Sequence, residues 1–328
     1  MQKLSACSFY LSLFLMTFFS CTSYQGISAE KEKPRISRDY VKYAELSREA
    51  ATVFEEGNYE LALGKYRAAF NYWSPDGNDL LNSAVCASRM GEINLTKNFL
   101  EKSVTEAGLK QSNLVAFSEV LELQEGEIWE QFVADYPKLR QQYFSNKQNL
   151  EAYLEIQRMI ERDMLVRRLH GKKYLSASED VAWKGIKEVD SVNVAKLMEI
   201  TQEYGWQTDA FLILWHQRGT YEEDNDVWNY FTPLINEAIN KGEEKPSFWA
   251  LFIDNKSVHE NEGTQVYGTL IDIKIENGKQ LFYIKKIADP TTVDQERAKI
   301  GMSSLQAYCD RMNIACPENY LDYLSRKQ

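Results

Sequence analysis

The sequence predicts a mainly helical protein: a stack of α-hairpins at the N-terminal end, followed by an α+β domain that contains a β-hairpin. Three observations predict it. Apolar residues recur at helical spacing from Asp39 onward; two glycines in matching contexts, Gly57 and Gly91, stand 34 residues apart; and Asn277-Gly278 separates two alternating runs. At 328 residues with 44% hydrophobic content, the chain has material for more than one core. A formal charge of -10 argues against a nucleic-acid partner, which needs clustered Lys and Arg.

Residues 1–21 read as a targeting segment, with Lys3 as the positive start, an apolar stretch Phe9–Phe19, and Ser20-Cys21 at its end. So short an apolar stretch fits a signal peptide and not a membrane span. The cysteine after a small residue resembles a bacterial lipobox, with Phe18 and Phe19 in place of its usual residues, and Cys21 is the expected lipidation site. More than one acyl chain there gives stable attachment. The expected location is therefore the bacterial cell envelope, at the outer membrane or its periplasmic face, with no transmembrane span in the mature chain. Residues 22–38 are polar and aperiodic and read as a flexible tether, reaching roughly 20–25 Å on average.

Residues 39–108 carry two repeats. Gly57-Asn58-Tyr59-Glu60 with Ala62, Tyr66 and Ala69 is matched by Gly91-Glu92-Ile93 with Leu100 and Ser103, and Pro75 falls where the first repeat should break. A 34-residue period is that of tetratricopeptide repeats, which these resemble. Two units are too few to bury both ends of a stack. Residues 109–149 are expected to be capping and connecting helices, with Ser112–Tyr136, carrying Leu114, Phe117, Leu121, Ile128, Trp129 and Phe132, closing the stack and forming its interface with the C-terminal domain. The array offers a site for a protein or peptide partner, with Asn82 and Arg89 placed to hold a carboxylate.

A long helix is expected from 137 to 160 and beyond, leading to Asp163 and Arg167, which can pair one turn apart on a helix face. Asp190 and Asn193 open the next helix, with Asp190 as a plausible N-cap. The segment Asp209–Gln217 (DAFLILWHQ) is too apolar for a surface helix, so His216 should point inward or into a cleft and require a partner. Further on, the odd positions Gln265, Tyr267, Thr269, Ile271, Ile273 and Ile275 alternate as one strand face. Folding about Asn277-Gly278 sets Ile273 opposite Phe282 and Ile271 opposite Ile284. With the odd face read as the core face, Gln265, Tyr267 and Thr269 become polar groups that need bonds to a network or a ligand. Thr292 and Gln295 are spaced as a capping box for a last helix, where Asp294 and Arg297 lie one turn apart. Arg297 either pairs with Asp294 or recognises a carboxylate.

The order Asp163-x-x-x-Arg167, Asp190-x-x-Asn193, Gly205-Trp206, His216-Gln217, Gln265-x-Tyr267-Gly268-Thr269, Asp294-x-x-Arg297 and Gly301 resembles the bacterial domain family catalogued as domain of unknown function 6624. The likeness covers roughly residues 150–312, within an expected α+β domain of 150–328; this chain has Gln207 and Met164 where the family usually has Pro and Gln. No activity is assigned to that family. The resemblance implies only ligand-binding candidates: Asp163, Arg167, Trp206, His216, Gln217, Gln265, Tyr267, Thr269 and Arg297.

Cys86 falls inside a repeat helix, and Cys309 and Cys316 flank a helix end where they either stay reduced or bridge in an oxidising compartment. Phosphate-binding glycine loops, nucleophile elbows and zinc signatures are absent, and the three histidines are widely separated, so neither a cofactor nor a metal is expected. Two readings remain. In one, the protein is a non-enzymatic scaffold that docks a partner through its repeats, with His216, Gln265 and Tyr267 as a buried structural network. In the other, His216, Gln265, Tyr267 and Arg297 line a pocket for a small ligand or envelope substrate, His216 serving as general base or acid. The lack of a nucleophile or cofactor loop favours the first.

Overall fold

A computed structural model describes residues 38–116, 123, 126–171, 179–276 and 278–327. The signal segment with Cys21, the tether apart from Arg38, and the positions Phe117, Leu121 and Asn277 lie outside the described residues. The fold is mainly helical, with paired helices and one antiparallel hairpin near the C-terminus. Among the described residues no helix is long and apolar enough to cross a membrane.

The first two helix pairs repeat one design. Helix α1 (Tyr40–Glu55) turns back into α2 (Tyr59–Ala69), and α3 (Gly77–Arg89) into α4 (Ile93–Thr105). Each turn passes through a left-handed glycine, Gly57 at φ 79° and Gly91 at φ 75°, a conformation that costs other residues energy. Asn58 then caps α2 by accepting from the Leu61 amide. The equal spacing of the two glycines is thus the footprint of two equal turns.

The short α5 (Gln111–Ala116) and long α6 (Glu127–Asn146) follow. α6 packs on α4 and adds Trp129, Phe132 and Leu139 to the core that contains Leu80, Leu81, Phe99 and Leu100, so it covers the open end of the stack. Contacts with the C-terminal half come from the end of α6, where Tyr143 and Phe144 pack on Tyr153 and Lys147 pairs with Asp209 at 3.3 Å, and also from the first helices. Arg48 on α1 donates to the Gly301 carbonyl at 2.8 Å, Arg38 to that of Lys241 at 3.1 Å, and Lys245 pairs with Asp76 at 3.3 Å. Leu114, Trp129 and Phe132 are spent on the core of the stack, while α1, the turn before α3 and the end of α6 make these contacts.

The continuous helix expected over 137–160 is interrupted: α6 ends at Asn146 and α7 (Leu150–Gly171) begins after a turn. α7 packs on α8 (Glu179–Tyr204), and with α9 (Phe211–Trp215), α10 (Asp226–Asn240) and α11 (Ala250–Glu260) they enclose Ile156, Met159, Leu197, Leu214, Phe231 and Phe252. Asp190 sits inside α8 and is no N-cap.

Strands β1 (Ile271–Glu276) and β2 (Lys279–Ile284) pair in the expected register, Ile273 with Phe282 and Ile271 with Ile284. Two expectations fail here. Residues 265–270 form no strand, Gln265 making an isolated bridge to Ile287, and the odd face of β1 is exposed, with no second layer over it among the described residues; of these positions only Ile284 reaches the small core with Ile287, Val293, Leu305, Cys309 and Tyr320. Helices α12 (Val293–Lys299), α13 (Leu305–Met312) and α14 (Glu318–Lys327) complete the chain, so the helix after Thr292 is not the last. Thr292 makes no side-chain cap; Asp289 instead gathers the hydroxyls of Thr291 and Thr292. Cys309 and Cys316 form a disulfide, and Cys86 is free and buried.

Candidate functional site

The side chains of α7 and α8 meet in a ladder of charge. Arg162 donates to Asn193 Oδ1 at 2.7 Å, and one turn on Arg167 Nη2 donates to Asp190 Oδ1 at 2.6 Å while its Nε lies 3.2 Å from Asp163 Oδ1. Residues four apart on α7 and three apart on α8 share a face, which is why these motif spacings converge. The C-terminal end of α9 then delivers His216 to the same point. Arg167 Nε donates to His216 Nδ1 at 3.2 Å, and Asp163 Oδ2 lies 3.0 Å from that nitrogen without making a hydrogen bond to it.

Nδ1 of the imidazole faces both the Arg167 Nε–H and the Asp163 carboxylate; with the Arg167 N–H as its hydrogen-bond partner, the neutral ring carries its proton on Nε2. Burial, then the positive charge of Arg167, pushes the His216 pKa down to about 4, with Arg218 adding to the fall. Burial likewise pushes the Asp163 carboxyl up to about 6, against the pull of Arg167. At neutral pH the cluster therefore holds an ionised Asp163 and a neutral His216 that offers an N–H. Asp163, Asp190 and His216 bring donor atoms within 4.8 Å of one another, a spacing that suits a metal ion, but Arg167 already stands among them as the cation.

His216 and Arg167 line a cleft of about 810 Å³. Its lining mixes apolar side chains, among them Trp183, Ile186, Val194, Met198 and Val227, with polar ones, among them Lys187, Asp190, Gln217, Arg218, Asn255 and His259. Such a volume is ordinary for a small-molecule site, and the lining is more polar than is usual for one. No described residue bonds His216 Nε2. Arg218 stacks on the Trp215 ring, with its carbon 4.5 Å from the centroid, and donates to the Trp215 carbonyl; among the described residues it has no carboxylate partner. Burial lowers its pKa, and Arg167 adds to the effect.

The remaining expected site residues are placed apart from this cleft. Gln265, Tyr267, Thr269 and Arg297 belong to a network around Asp254, a fully buried carboxylate on α11. Asp254 accepts from the amides of Val266, Tyr267 and Thr269 and from the Thr269 hydroxyl, all at 2.7 Å. Gln265 holds both backbone groups of Leu270. Arg297 donates to the Ser303 carbonyl at 2.6 Å and the Tyr267 carbonyl at 2.5 Å, and burial lowers its pKa to about 10. Gly268 has φ 69°, and a Cβ there would meet Leu305 at 2.8 Å, so the loop admits only glycine at this point. These polar groups are thus committed to shaping a loop. Nor does Arg297 pair with Asp294, which accepts from the Leu305 amide and the Tyr320 hydroxyl.

Trp206 donates to the buried Glu244 at 2.8 Å and packs edge-on against Phe231 and Phe248, a structural position. On the repeats, Asn82 already donates to Tyr66 and Arg89 lies over the Tyr59 ring. Sequence reasoning missed Asp254, whose signal was a lone acid after the apolar run Phe248–Ile253, and Arg218, which directly follows His216-Gln217. Comparison with protein-family models, with curated proteins and with solved structures finds no match for this chain.

Proposed function

We propose that this protein is a lipid-anchored envelope protein that binds a small anionic molecule with an apolar body in the His216 cleft. The observation that carries the reading is that His216, whose Nε2 no described residue bonds, and Arg218, a guanidinium lacking a carboxylate partner among the described residues, line the same cleft. A carboxylate or phosphate monoester would accept from both, while Trp183 and Met198 would cover the apolar part. The order of motifs that resembles domain of unknown function 6624 supports treating the cluster as one site, since Asp163, Arg167, Asp190, Asn193 and His216 come from three of those motifs. A histidine held neutral with Nδ1 occupied favours binding or polarisation over the general-base role.

The test is a thermal-shift and calorimetry panel of small carboxylates and phosphate monoesters. A ligand that stabilises the protein should bind roughly 10- to 100-fold more weakly to Arg218→Gln, the cost of one charge-assisted hydrogen bond. Binding that is unchanged in both Arg218→Gln and His216→Ala would reject the cleft as the site. A scaffold role for the repeats is a second reading, favoured by the exposed Leu61, Met90 and Ile93 on the repeat helices and their turn; it predicts capture of a peptide or protein partner that Leu61→Asp weakens.

A further inference from the structure

We propose that the outer edge of β1 pairs with β1 of a second copy of this chain, antiparallel and in register about Ile273. The two-residue turn closes on the pair Glu276 and Lys279, so hydrogen-bonded and non-bonded pairs alternate from there, and Ile271, Ile273 and Ile275 turn their backbone N–H and C=O groups away from β2. Among the described residues no strand takes up these groups: the sheet has two strands, and the bridge from Tyr283 to Ala315 lies on the β2 side. The Ile273 amide is met only by the side chain of its neighbour Asp272, at 2.8 Å. The same residues form an exposed apolar row, Ile271 at 38%, Ile273 at 52%, Ile275 at 75% and, across the hairpin, Phe282 at 43%. An open edge with such a row is a template for strand addition.

The occupant is argued from the strand's own sequence. Ile271-Asp272-Ile273-Lys274-Ile275 is self-complementary when reversed about its centre. A two-fold axis through Ile273 sets Ile273 against itself and Ile271 against Ile275, joining the outward backbone groups of all three. On the opposite face it sets Asp272 against Lys274 of the second copy, twice, at non-hydrogen-bonded positions where side chains approach closely. This interface is isologous and closes as a dimer. In one copy Asp272 pairs with Lys285 at 3.0 Å and Lys274 with Glu276 at 2.7 Å, partners that are half-exposed and exchangeable.

The test is disulfide trapping in the full chain. Ile273→Cys, oxidised mildly, should give a cross-linked dimer on a non-reducing gel that the native chain does not give. Adding Asp272→Lys places like charges together at two sites and should weaken trapping roughly tenfold, and Asp272→Lys with Lys274→Asp should restore it. Unchanged thermal melting in each variant establishes that the fold persists. Absence of a dimer in Ile273→Cys, trapping indifferent to Asp272→Lys, or failure of the double exchange to restore it would each overturn the proposal.

Discussion

Arg167 Nε donates to His216 Nδ1 across 3.2 Å while the same guanidinium binds Asp163 and Asp190. One cation thus does two things: it compensates two acids in a helix interface, and it offers an N–H to the Nδ1 side of the imidazole.

Removing that cation should be costly and specific. Arg167→Gln leaves Asp163, 3% exposed, without its compensating charge, and the expected loss of stability is about 3–5 kcal/mol. The His216 pKa should also rise from about 4 toward the ordinary value, since the second of its depressing causes is gone. Urea denaturation and a histidine titration by NMR check the two effects separately.

The Asp254 network gives a contrasting expectation. Asp254→Ala removes the acceptor for three amides and a hydroxyl, with a predicted loss of about 3–5 kcal/mol. Its consecutive neighbour Asn255 lines the cleft while Asp254 faces the 266–269 loop. In the fraction that stays folded, binding to the cleft should therefore persist; calorimetry at low temperature measures it.

The pH dependence has opposite contributions from two neighbours. His216 is depressed, from 6.5 to about 4, so the folded protein binds fewer protons in that window, and the stability it contributes above pH 6.5 is lost as pH falls toward 4. Asp163 is raised, from 3.8 to about 6, so its contribution is present below 3.8 and lost as pH rises through 6. The two nearly cancel between pH 4 and 6. Relative to His216→Ala, the native protein should lose roughly 3 kcal/mol between pH 6.5 and 4, read by urea denaturation at several pH values.

How much of this was legible in the sequence depends on the range of the interaction. The 34-residue spacing of Gly57 and Gly91 and the register about Gly278 were readable because each follows from one local turn. Asp163 and Arg167 were readable as a pair because helical spacing alone brings them together. Their meeting with Asp190 and His216 was not, since it depends on how three helices pack, and no periodicity within one of them encodes that. The 265–269 stretch misled for a definite reason: a loop wrapped on Asp254 also alternates polar and apolar residues, so its pattern imitates a strand. The exposed isoleucines of β1 misled likewise, because alternation marks a face without saying whether anything covers it.

The Cys309–Cys316 disulfide closes a short loop beside the small C-terminal core. Replacing both by serine should cost about 2–3 kcal/mol in the loop-entropy account. The change should appear as a lower melting temperature with the cleft's ligand affinity intact.

The account rests most directly on the state of His216, and ¹⁵N imidazole spectroscopy at pH 7.5, assigned by its loss in His216→Ala, measures it. The arrangement predicts a neutral ring with hydrogen on Nε2 and a bare Nδ1, unchanged down to pH 5. A ring protonated on Nδ1, or one that becomes imidazolium near pH 6.5, would contradict it.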